Sequence, residues 1–235
     1  MTTRKRISVI ALLALLAGGV LAPSADAAAT RYITVSAQGA VKVVPDAVRI
    51  NATATAVAAS SKEALAATAK TSTAVRAALK SAKIDTKDIA TQSVTVYPEY
   101  KYTSDGGSTL TGYRGSQSFT IIVRAADTAG SLVDALVTAG GDNLQINGAT
   151  PFVLDSTKSL EAARAAAVKS AKSKATSYAT LMGVKLGKVN YLVENSAPTN
   201  YTPVMAVAKA ESDATVIDLG QQDVTIGVTV QWALL

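Results

Sequence analysis

The chain has no cysteine and no histidine. Without cysteine there are no disulfides, no thiol redox cycling and no lipid attachment of the bacterial lipoprotein kind, so the fold must hold itself together by burial alone. Without histidine there is no imidazole acid–base work at neutral pH. Together the two absences remove Ser-His and Cys-His nucleophile pairs and ordinary zinc, copper or haem ligation. No two glycines are separated by a single residue, so the dinucleotide fingerprint cannot be written, and there is no Walker loop. Ser-x-x-Lys and Gly-x-Ser-x-Gly are missing too. Aromatic residues make up only 5% of the chain, with one Trp and two Phe against eight Tyr. These absences point away from an enzyme and from any bound cofactor or metal.

The remaining chemistry belongs to carboxylates, lysine, tyrosine and hydroxyls. Asp85 and Asp88 in "IDTKDIAT" could form the acid pair that glycoside hydrolysis needs, but they read more simply as polar residues of a loop before a strand. The turns "SDGGST" and "GGDNLQING" combine glycine with acid. Neither has alternating oxygen ligands ending in a glutamate at the twelfth position, which counts against calcium.

The first residues combine a basic start (Arg4, Lys5, Arg6), an apolar run from Ile7 to Leu21, and small residues at Ala25 and Ala27. This pattern predicts a secretory signal peptide over residues 1–27, cleaved after Ala27, leaving one domain over 28–235. The run is short for a membrane anchor, which needs about 20 apolar residues, and no transmembrane segment is expected after cleavage. The formal charge of +6 falls when the leader is removed, and the basic residues that remain occur singly or in short groups such as "KSAKSK". A solvated helix face explains them better than nucleic-acid binding, which calls for a clustered basic stripe. The expected location is the cell envelope, secreted or periplasmic.

Alternation with a period of two is legible along much of the chain. In "YITVSAQG" it places Ile33, Val35 and Ala37 on one face of a first strand. In "VKVVPDAVRINATATAV" the apolar set is odd-numbered at Val41 and Val43 and even-numbered from Val48 to Ala56, which predicts a bulge at Pro45-Asp46. Ser60 and Glu63 stand at capping-box spacing before a helix over about 61–82, with Leu65, Ala69, Ser72, Val75 and Leu79 as its inward stripe. A strand over 89–102, the Asp105-Gly106-Gly107 turn and a return strand carrying Tyr113, Phe119, Ile121 and Val123 make a long hairpin. A second helix is expected from an Asp127 cap to a left-handed Gly140, then a strand at "PFVL". A long helix closed by Gly183 follows, its inward stripe mostly alanine with Leu160, Tyr178 and Met182. "KVNYLVE" and "DVTIGVTVQWALL" read as alternating strands, separated by an exposed loop over 195–214. There is no convincing internal repeat. The fold class is α+β: a mostly antiparallel sheet with amphipathic helices packed on one layer and a long tyrosine-rich β-hairpin.

Five segments resemble the SIMPL-domain family in order and spacing: "ITVSAQGAVKVVPDAVRI", "LKSAKIDTKDIATQSVTVYPEY", "LTGYRGSQSFTIIVR", "LEAARAAAVKSAKSKATSYATLMGVKLGKV" and "VTIGVTVQWAL". From first to last they span residues 33–234, so the resemblance extends over nearly all of the expected mature chain. Two departures stand out. Lys83 follows the first helix where the family commonly has glycine, and the proline before the last strand is missing from "VIDLGQQDV". The resemblance implies an exported bacterial protein without an established active site. Similar proteins are described as periplasmic or outer-membrane-associated, as immunogenic, or as part of oxidative-stress defence, and assembly into homo-oligomers is expected of the family. With no thiol and no imidazole, a protective role would be indirect.

Four tyrosines, Tyr97, Tyr100, Tyr102 and Tyr113, gather in the hairpin. Tyr100 and Tyr102 share one face and Tyr97 lies on the other. Ordinary cross-strand packing is one reading; an arm that packs on another subunit is the second, since tyrosine suits an interface apolar in the middle and wet at its edge. The leading expectation is therefore a non-enzymatic, self-associating envelope scaffold or stress-protective factor. The alternative is a secreted module that binds an envelope glycan or small ligand at the hairpin.

Overall fold

The computed structural model of the protein describes residues 31–102, 104–195 and 214–235. The expected leader, and all but the ends of the expected loop, lie outside the described residues. Two antiparallel sheets carry the architecture. In one the strand order is β1 (Tyr32–Val43), β7 (Gln222–Leu234) and β6 (Leu186–Asn195). In the other it is β3 (Ile89–Tyr102), β4 (Ser108–Val123), β2 (Ala47–Ala58) and β5 (Leu144–Phe152). With the helices α1 (Ser61–Ser81), α2 (Ala129–Gly140) and α3 (Thr157–Leu181), this is the expected α+β class.

The phase slip at Pro45 has a different cause from the expected bulge. Val41 and Val43 belong to β1, and residues 44–46 carry the chain into the other sheet, so the alternation restarts because a new strand begins. Asp46 pins the crossing by accepting a hydrogen bond from the Leu154 N–H at 2.8 Å.

Each sheet is covered by helix on one face. Over the three-stranded sheet, α3 buries Ala163, Ala167, Ala171 and Ala175 against Val35, Ile226, Val228, Val230 and Trp232, and Ala179 continues the buried stripe. A stripe repeating every fourth residue leaves Tyr178 and Met182 outside it, and both are exposed, contrary to expectation. Over the four-stranded sheet, Val75 and Leu79 of α1 and Leu132 and Leu136 of α2 meet Val48, Ile50, Phe119 and Ile121. Ser60 caps α1 by accepting from the Glu63 N–H at 3.3 Å. The first half of α1, however, buries Ala64 and Thr68 in place of Leu65 and Ala69. The reason lies below the helix at Gly115, whose missing Cβ lets the backbone of Ala64 and the hydroxyl of Thr68 come close. Only small side chains fit there.

Other boundaries differ by a residue or more. The N-cap of α2 is Thr128, because Asp127 falls inside a single 3₁₀ turn before the helix. Gly140 is the last helical residue, and Gly141 takes the positive φ of 54°. β5 starts at Leu144, ahead of "PFVL", and ends at Phe152; its irregular pairing opposite Asn51 and Ala52 hides the alternation. β6 does form, yet nearly all of it is exposed on both sides. The stripe of α3 lies over β1 and β7, and β6 falls outside its cover; Arg164 of α3 reaches it through Glu194 at 2.8 Å.

Candidate interaction surface

The β3–β4 ladder is longer than the sheet it belongs to. β2 pairs with β4 only as far as Ala58 opposite Tyr113, whereas β3 and β4 stay paired out to Tyr102 opposite Ser108. Beyond Pro98 the hairpin is therefore a two-stranded ribbon. The register shifts between Glu99 and Tyr100, where Thr111 is the extra residue and its hydroxyl donates to the Glu99 carbonyl at 2.8 Å. Such a bulge sharpens the local twist and turns the ribbon relative to the sheet.

All four expected tyrosines lie on or at the base of this ribbon. Tyr97 pairs with Arg114 on the open face of the sheet, beside the Arg114–Glu99 ion pair of 2.6 Å. Tyr113, opposite Pro98, is half-buried on the helix side at the base of the ribbon. Tyr100 pairs with Leu110, and Tyr102 follows two residues on, so both alternate onto the helix side as well. Tyr97, Tyr100 and Tyr102 are 61%, 46% and 78% exposed, so the ribbon carries exposed aromatics on its helix side and its base carries one on the open face. The structure separates Tyr97 from the other three.

The acid pair considered above is resolved differently. Asp88 is buried and holds Arg124 through two bonds of 2.7 Å, to Nε and Nη2, while Asp85 pairs with Lys87 at 2.9 Å in the open. The Arg124 hydrogen bonds hold the Asp88 carboxyl below the usual carboxylate range, against the opposing pull of burial. This is an ion pair that ties the loop after α1 to the end of β4. No sequence spacing links residues so far apart. Among the described residues, no group of three or more His, Cys, Asp or Glu is placed to hold a metal ion. No helix among them is long and apolar enough to cross a membrane.

Sequence reasoning also missed the open face of the four-stranded sheet. There Asn51, Thr53 and Thr55 of β2 stand in register with Thr120, Ser118 and Ser116 of β4. Its signal is the polar half of "INATATAV" and "RGSQSFTI", which apolar alternation alone does not single out.

A helix-covered pair of antiparallel sheets with a projecting ribbon is thus the class to which the geometry assigns the chain. The model of the SIMPL family, described as a protein of unknown function (DUF541), matches residues 33–232. The chain belongs to that family. It is similar to "Uncharacterized protein YggE" of Edwardsiella ictaluri, 32% identical over 231 residues that cover 92% of each chain. It is also similar to the protein of that name in Escherichia coli, 30% identical over 88% of this chain and 83% of the relative. The "26 kDa periplasmic immunogenic protein" of Brucella melitensis is 29% identical over 84% of this chain and 82% of the relative.

Proposed function

We propose that the protein is exported to the cell envelope and acts there by self-association through the tyrosine ribbon, as a scaffold or indirect stress-protective factor and not as a catalyst. The observation that carries this reading is the ribbon itself. An isolated two-stranded hairpin is at best marginally stable in water, yet this one runs on past β2 with Tyr100 and Tyr102 exposed on its helix side. Docking on a second copy buries that surface, and tyrosine does so with little loss of side-chain freedom. Export is supported by the leader-like residues 1–27 and by the periplasmic name of the Brucella relative. The indirect character of any protection follows from the missing thiol and imidazole.

Light scattering on protein purified from the exported fraction of cells expressing the full chain tests the proposal. The expected result is a particle several times the monomer mass, reduced toward the monomer by Tyr100→Ser with Tyr102→Ser while the circular dichroism spectrum is retained. A monomer at every concentration, or an assembly indifferent to both substitutions, defeats it.

A further inference from the structure

The open face of the four-stranded sheet is built in cross-strand rows. Asn51 lies opposite Thr120, Thr53 opposite Ser118 and Thr55 opposite Ser116, all half-buried by their neighbours. The rows are stitched together: Thr120 donates to Asn51 Oδ1 at 2.9 Å, Thr53 and Ser118 share a bond of 3.1 Å, and Asn147 of β5 donates to Thr53 at 2.7 Å. Each hydroxyl carries one donor and two acceptor sites, and each amide two of each. The stitching therefore fixes the rotors and leaves further hydrogen-bonding capacity directed outward.

Across these rows there is no charge. Arg49 and Arg114 stand at opposite ends of the face, and each is engaged: Arg49 lies 4.7 Å over the Phe152 ring, and Arg114 bonds Glu99. A face that only had to stay wet would gain solubility from charge. The neutral field gives no hold to a polyanion, whose binding depends on clustered cations. An apolar protein partner is also disfavoured, because each hydroxyl or amide buried without a partner costs about 1–3 kcal/mol. A neutral chain rich in hydroxyl and amide groups meets both conditions. Tyr97 adds a ring 61% exposed on this same face, one row beyond Thr95 opposite Ser116. Its apolar body can stack on the C–H face of a sugar while its polar tip stays wet.

We propose that this face binds a neutral polysaccharide, with Asn51, Thr53, Ser118 and Thr120 hydrogen-bonding its hydroxyl and acetamido groups and Tyr97 stacking on a ring. The site is independent of the self-association proposed above, which is tested through Tyr100 and Tyr102 on the other side of the hairpin. Calorimetric titration of the exported protein with a tetramer of N-acetylglucosamine, with cellotetraose and with heparin decides the matter. At least one neutral tetrasaccharide should bind with an affinity little changed by added salt, and heparin should not. Tyr97→Ala, and separately Thr53→Val with Thr120→Val, should each weaken that binding about tenfold or more, a change of about 1.4 kcal/mol, whereas Tyr102→Ala leaves it intact. Melting curves check that each variant is folded. The proposal is overturned if neither tetrasaccharide binds, if only heparin binds, or if binding survives Tyr97→Ala.

Discussion

Lys83 is the one described non-glycine residue with positive φ, at 57°. It sits just past α1, where the Lys83 N–H returns to the Lys80 carbonyl at 3.0 Å and the Ile84 N–H to the Leu79 carbonyl at 3.0 Å. That paired return is a Schellman closure, and α3 ends the same way with Gly183 at φ 69° in the equivalent place. The departure noted in the sequence thus leaves the geometry of the helix end unchanged and substitutes a residue that bears strain of about 1 kcal/mol there. Asp88, a few residues on, gives the structure a measurable dependence on pH. Its folded-state pKa lies below the unfolded value because Arg124 bonds its charged form. The stabilisation is therefore fully present above the unfolded pKa, near 4, and is lost as pH falls through the folded value. Arg124 is half exposed, so water and salt weaken the contribution. Denaturant titrations at neutral pH and through the acid range should show stability dropping below about pH 4. Asp88→Asn should lower stability at neutral pH and flatten that acid limb; an unchanged acid limb would remove the ion pair as its cause.

At the scale of elements, both main helices approach their sheets through a glycine. An added Cβ at Gly39 of β1 would lie 2.2 Å from the Ala167 nitrogen and 2.3 Å from the Ala163 oxygen, both backbone atoms of α3. Gly39→Ala forces the helix off the sheet, and overpacking of this kind typically costs about 1–3 kcal/mol. Chemical denaturation should show at least that loss, whereas an alanine accommodated with no change in midpoint would mean that α3 stands further off. The same contact explains what could be read in advance. The alanine stripe of α3 and the alternation of β1, β2, β4 and β7 were legible because burial there follows apolarity at a single period. Leu65 misled because contact with Gly115 selects for smallness, and Ala64 and Thr68 satisfy it better than leucine. The slip at Pro45 is visible in the sequence but its meaning is not: a local pattern cannot distinguish a bulge within one sheet from a passage between two. For the candidate surface, the tyrosine cluster and its division between two faces were legible by parity. The extent of the ribbon was not, because it depends on where β2 stops.

For the molecule as a whole, the path of the chain between its two cores matters more than either core alone. β1 belongs to the three-stranded sheet; β2 through β5, with α1 and α2, build the other core; α3 and β6 return to the first. Ile217 and Leu219 then pack on the second core, and Thr215 bonds Asp134 of α2, before β7 closes the first sheet between β1 and β6. Neither core is a continuous stretch of sequence. The ladder of β1 with β7 joins Tyr32 to Ala233, so nearly the full chain must be in place before that sheet exists. Such long-range pairing favours slow folding and makes each half depend on segments that enter and leave the other. One cooperative transition is therefore expected, in spite of two separate hydrophobic clusters. The single tryptophan, Trp232, is buried in the three-stranded core and reports on it alone, while far-ultraviolet circular dichroism reads both. The two probes should give coincident thermal midpoints, as a two-state domain requires. A tryptophan transition separated from the ellipticity change by several degrees would show that the cores melt independently, and that the weave of the chain joins them without coupling them.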